Sequence, residues 1–238
     1  MKRQLSSVTK ASYILGVYYA VIDYIEVEAP DRYEAYPDEC LVDEDLVTGL
    51  DPWNPPVLAK DRFYLVVPGS SEEVFEKQVG DRLVEFVVSS EGSGASYEEL
   101  LAKAPRIPFT FDGSLIKELA AETSRTGIEY IFLYSSDGYL FVLEGGYLRV
   151  NIPFVRVVGS VHTHPEGSCG LSSKDVESGL DLLSEGGLFE AAATPACYFY
   201  MARTRSVSEE DYVKARMIRG DILEPLRLET IVFDKGYY

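Results

Sequence analysis

The chain holds two histidines in 238 residues, and both fall in one short stretch, His162-Thr163-His164-Pro165. That stretch follows the β-branched run Val155-Arg156-Val157-Val158 after Gly159-Ser160-Val161. Residues i and i+2 of a strand project to the same side. Two imidazoles side by side at a strand end supply half of a tetrahedral zinc site, and a further ligand has to come from an element that turns back over the pair. After a seven-residue loop broken by Pro165, Gly167 and Gly170 comes Ser172-Ser173-Lys174-Asp175. Ser172 or Ser173 reads as a helix N-cap, which places Asp175 in the first helical turn, facing back toward the loop. His162, His164 and Asp175 are therefore the expected Zn2+ ligands.

Three cysteines are too few for a disulfide scaffold, and with no CxxC a thiolate ribbon is excluded. Cys169 lies inside the metal loop, where it either closes the site as a fourth ligand or packs and pairs locally. Gly170 follows it, midway between His164 and Asp175, where the chain arches away from the metal. Cys197 opens the strand after the metal-bearing helix. The expectation is a Cys169–Cys197 staple, with Cys40 apart.

A formal net charge of −17 repels a phosphate backbone and argues against a nucleic-acid partner. Residues 1–107 carry 20 acids against 10 bases and residues 108–238 carry 19 against 12, so the acidity is heavier in the first half. It concentrates from Asp38 to Asp51, read as a solvated loop, with a docking patch for a basic partner as the alternative. The apolar segment Ala11–Ile22 lacks a small-residue cleavage site and is too short to span a bilayer. No membrane association is expected, and a cytoplasmic location is.

Hydrophobic spacing gives a mixed α/β (α+β) pattern with a seam near residue 107. Residues 12–28 read as one or two strands, 29–61 as a long irregular segment, and 61–68 as a strand. Ser70-x-x-Glu73 with Val74, Phe75, Val79, Leu83 and Phe86 reads as a helix over 71–87. A shorter helix opens at Ser96 and ends before Pro105. Beyond the seam, a helix runs from Asp112 to near Gly127, and strands 129–134 and 139–143 form a hairpin. Strands at 147–150 and 154–161 lead into the histidines. A helix follows from Asp175 to about Ser184, then strands at 197–201, 212–219 and 226–233. The division expected is a smaller acidic α+β domain over 1–107 and a mixed sheet flanked by helices over 108–238.

His162-Thr163-His164-Pro165, seven residues, then Ser172-x-x-Asp175 resembles the signature of the JAMM metalloproteases, also called MPN-plus domains. The helix, hairpin and strand that precede it resemble that family too, over roughly residues 108–235. In the family an upstream glutamate starts the first strand, and Glu129 is the matching residue; Glu122, on the preceding helix, is the competitor. The resemblance implies a JAMM/MPN-like fold for the second half. It also implies a zinc-dependent isopeptidase or peptidase that cuts the amide after the C-terminus of ubiquitin or a ubiquitin-like modifier. In that scheme Glu129 is the general base and Ser172 donates to the oxyanion. A metal-free MPN-type scaffold module and a general small-peptide metallopeptidase are the alternatives.

Overall fold

The computed structural model describes residues 4–48, 53, 55–145, 155–165 and 169–238. In chain order, β1 (Gln4–Ser7) leads into α1 (Lys10–Asp23), one π-helical turn (Tyr24–Glu28) and α2 (Ala29–Tyr33). Then come β2 (Leu41–Val42), α3 (Glu44–Val47), β3 (Arg62–Val66), β4 (Glu73–Val79), β5 (Arg82–Ser89) and β6 (Ala95–Ser96). Three helices follow, α4 (Tyr97–Lys103), α5 (Ile107–Phe111) and α6 (Gly113–Thr126). The remainder is β7 (Tyr130–Ser135), β8 (Leu140–Glu144), β9 (Val157–Thr163), α7 (Ser173–Ser184), β10 (Phe189–Ala193), β11 (Cys197–Arg203), α8 (Glu209–Arg216), β12 (Leu226–Arg227) and β13 (Ile231–Tyr237).

These elements build two mixed sheets. The larger has the order β1-β8-β7-β9-β10-β11-β13-β12, and the smaller β4-β5-β3-β2-β6. Each contains one parallel pair, β9–β10 and β3–β5. A parallel pair needs a long crossover, and between β9 and β10 that crossover is α7. The expected mixed α/β class is therefore what the chain adopts. No helix among the described residues is long and apolar enough to cross a membrane.

Residues 12–28, expected as strands, are instead helical. Every residue from Ala11 to Ile22 is buried, so no polar face marks the 3.6-residue period, and the β-branched and aromatic composition imitates a strand. The overlooked start signal is a capping box: the Ser12 N–H donates to Thr9 Oγ1, and the Thr9 N–H donates to Ser12 Oγ. α1 packs against β7 and β9 of one sheet and β4 of the other. Gly16 permits that approach, since a Cβ there would stand 2.7 Å from Val79 Cγ1 and 2.9 Å from Gly138 Cα.

Residues 71–87, expected as a helix, form the β4–β5 hairpin, with Val79 opposite Arg82 across Gly80-Asp81. Gly80 has φ +59, the left-handed region such a tight turn requires. Phe75, Lys77 and Val79 face one way and Val84, Phe86 and Val88 pair with that face; this period of two was masked by apolar residues on the outer face. Residues 212–219 likewise differ: Glu209–Arg216 is helical, capped by Ser208, whose Oγ accepts the Asp211 N–H at 3.2 Å. β10 carries three consecutive alanines and was not expected at all. The expected strand at 147–150 lies outside the described residues.

The buried core runs continuously from α1 into β3, β5, β7, β9 and β10. Ile107 opens α5, and β1, from the first half, hydrogen-bonds to β8 in the larger sheet. A second apolar cluster lies under α7 and joins Leu171, Val176, Leu180, Phe199, Met201 and Phe233.

Candidate metal centre

β9 delivers both histidines. His162 is its penultimate residue, paired with Ala192 of β10, and the His164 N–H donates to the Ala193 carbonyl at 2.9 Å. Thr163 points the opposite way, where its Oγ1 accepts the Tyr130 N–H at 2.8 Å and lies 2.6 Å from Thr123 Oγ1 on α6. The middle residue of the H-x-H triplet thus bolts the strand end to β7 and α6, leaving both imidazoles on the other face.

Asp175 arrives from the returning helix as expected. Ser172 is the N-cap of α7: its Oγ accepts the Asp175 N–H at 3.3 Å, and the Ser172 N–H donates to Asp175 Oδ2 at 2.7 Å. This reciprocal cap fixes the carboxylate's rotamer and turns it toward β9. Its Oδ1 lies 3.3 Å from His162 Nε2 and its Oδ2 3.5 Å from His164 Nε2, while the two Nε2 atoms are 2.9 Å apart. One ligand atom from each of the three residues lies within 4.8 Å of the others, so the group could hold a metal ion. Tetrahedral zinc with bonds of about 2.0–2.1 Å to nitrogen sets its ligand atoms roughly 3.3 Å apart, and the distances here bracket that value.

The returning segment is pinned at two points just after residue 168. Cys169 and Cys197 are disulfide-bonded, with Cα atoms 6.0 Å apart, and Cys40 is free and buried. Leu171 exchanges two backbone hydrogen bonds with Ile222, at 3.1 and 2.9 Å. Cys169 sulfur is thereby spent on the staple, and His162, His164 and Asp175 remain as the group that could hold a metal ion.

The electrostatics express a shortage of positive charge. Burial alone would lower the His162 pKa, but hydrogen bonds to Asp175 and Glu190, and their charges, override it and raise the value to about 10. Burial likewise opposes ionisation of Asp175, and contact with the two imidazoles wins, holding the carboxyl far below its usual range. Several lone pairs face one small space, and a proton or a cation must sit among them.

Glu190 is the site residue that sequence reasoning missed. It sits on β10, 7% exposed, with Oε1 3.0 Å from His162 Nδ1. Nothing in the sequence marked it, because β10 itself was unseen.

The structure does not bring Glu129 into contact with the three ligands. Its side chain is exposed and has no hydrogen-bond or ion-pair partner among the described residues. Its carbonyl accepts the Gly145 N–H at 2.6 Å. Ile131 pairs with His162 at the end of the β7–β9 register, and Glu129 lies two residues before it, just ahead of the strand. Glu122, the competitor, lies within α6. Compared with known proteins, the chain matches no family model, and neither the curated proteins nor the solved structures yield a match.

Proposed function

We propose that the protein is a zinc-dependent hydrolase of amide bonds, of JAMM type, acting as an isopeptidase or peptidase at the C-terminus of ubiquitin or a ubiquitin-like modifier. The observation that carries this reading is the convergence of His162 Nε2, His164 Nε2 and the Asp175 carboxylate, from a strand end and a capped helix start, on one point. The donor chemistry fits zinc, which favours imidazole and carboxylate ligands. When bound, the metal supplies Lewis acidity and lowers the pKa of water to about 7.

The remaining work falls to side chains of this chain. Glu129, whose exposed carboxylate lies two residues ahead of the Ile131 that pairs with His162, accepts a proton from the attacking water and returns it to the leaving amine. Ser172 Oγ uses a lone pair to cap α7, so its own hydrogen remains available to donate to the negative charge developing on the scissile carbonyl oxygen. Cys169–Cys197 and the Leu171–Ile222 bridge hold the loop that presents Ser172 and Asp175, fixing the geometry those roles need.

The test is cleavage. Zinc-loaded protein is incubated with a panel of ubiquitin-like conjugates joined through lysine, linear fusions of the same modifiers, and short peptides. Cutting after the modifier's terminal residue is the expected outcome. Hydrolysis of the short peptides alone would replace this reading with a general metallopeptidase, and no cleavage of any panel member would contradict hydrolysis.

A further inference from the structure

Buried acids elsewhere in the chain have partners that hold the fold. Asp211 Oδ2 accepts from the Thr230 backbone and hydroxyl, and Asp112 Oδ2 accepts from the Thr9 and Tyr134 hydroxyls. Glu190 differs: among the described residues its carboxylate meets His162 Nδ1 and no other polar group. Burying a carboxylate costs several kcal/mol before pairing, and replacing such a pair by apolar groups of similar size is often neutral or stabilising. Stability of the fold therefore gives no reason for an acid at this position.

The packing around it is nonetheless specific. A Cβ on Gly179 of α7 would stand 2.9 Å from Glu190 Cβ and 2.4 Å from Met201 Cε, so only glycine there lets the helix bearing Asp175 lie this close to the Glu190 stem. Glu190 pairs with Ser160 in β10–β9, on the same face as His162 and one step along the strand. Its carboxylate reaches along that face to the imidazole edge turned away from His164 and Asp175.

We propose that Glu190 is a positioning residue for the metal centre: by accepting the His162 Nδ1–H, it fixes the ring orientation and tautomer that leave Nε2 as the ligating atom. This rests on the metal reading of His162, His164 and Asp175. An imidazole that donates its second nitrogen to a carboxylate is also a stronger ligand, and loss of such a partner weakens metal binding by about 10- to 100-fold.

The experiment measures zinc affinity, by competition with a fluorescent chelator, for the wild type and for Glu190→Gln and Glu190→Met. The first variant removes the charge with the shape kept. The second removes the acceptor and leaves an apolar stem that suits the burial. The expected result is a zinc Kd raised about 10- to 100-fold in Glu190→Met and by less in Glu190→Gln, whose amide oxygen still accepts the Nδ1–H, with no fall in the melting temperature of the zinc-free proteins. A purely structural role would instead lower the zinc-free melting temperature and leave the affinity of the folded protein alone. Wild-type binding with Glu190→Met within twofold of it overturns the role of Glu190 and leaves the metal site standing. Absence of zinc binding in the wild type overturns both.

Discussion

At the scale of single residues, the proposed metal centre turns on competition between a proton and a cation. His162 is raised to about 10, so at neutral pH the metal-free cluster holds a proton that a metal must displace. The sign follows: apparent zinc affinity rises with pH, about tenfold per unit below pH 10, and binding near neutrality releases about one proton. Calorimetry in two buffers of different ionisation heat checks this, and proton uptake on binding would contradict it. Glu129→Gln addresses a different step. It is expected to keep its zinc and lose activity by at least about 100-fold, because a proton acceptor is removed outside the ligand set. If Glu122→Gln shows that behaviour and Glu129→Gln does not, the base has been misassigned.

At the scale of elements, two devices hold the site in place, and each has its own signature. The Cys169–Cys197 bond closes a 29-residue segment across α7, for which chain entropy gives roughly 3–4 kcal/mol. Cys169→Ala is therefore expected to lower unfolding free energy by about that amount under oxidising conditions, with the gap to wild type closing once reductant opens the bond. The other device is Asp112, which ties the start of α1 to β7 through Thr9 and Tyr134. Burial pushes its pKa up to about 6, against the lowering effect of those two hydroxyls. A carboxyl with a raised folded pKa binds a proton that the unfolded chain has already released, so its contribution is lost as pH rises from about 4 through 6. Asp112→Asn removes that loss. Relative to wild type it is expected to gain up to about 3 kcal/mol between pH 4 and pH 7, read from urea unfolding at the two values. A difference that does not change with pH would contradict the burial of an ionisable group there.

Elements also show where the sequence was readable. The convergence of His162, His164 and Asp175 was legible because two capped or alternating patterns, H-x-H and S-x-x-D, encode direction as well as identity. The same S-x-x-D pattern at Ser208–Asp211 starts α8, where a strand was expected. Helix α1 was hidden by its own burial, and the β4–β5 hairpin by apolar residues such as Val74 and Leu83 on its exposed face. β10 was invisible because alanine carries little strand preference, and Glu190 went unseen with it.

At the scale of the whole molecule, α1 is shared by both sheets, and one buried cluster draws residues from both sides of the seam near residue 107. Loss of the close contact at Gly16 is accordingly expected to be felt in both halves. Gly16→Leu should destabilise by several kcal/mol in one cooperative transition followed by circular dichroism and by tyrosine fluorescence alike. Two separated transitions would show that the halves unfold independently. Neither outcome bears on the proposed chemistry, which rests on three side chains delivered by β9 and α7. Its most direct test is the metal content of purified, zinc-equilibrated protein by elemental analysis. One zinc per chain in the wild type, with a sharp drop in each of His162→Ala, His164→Ala and Asp175→Ala, is the predicted result; full zinc occupancy in His162→Ala would contradict it.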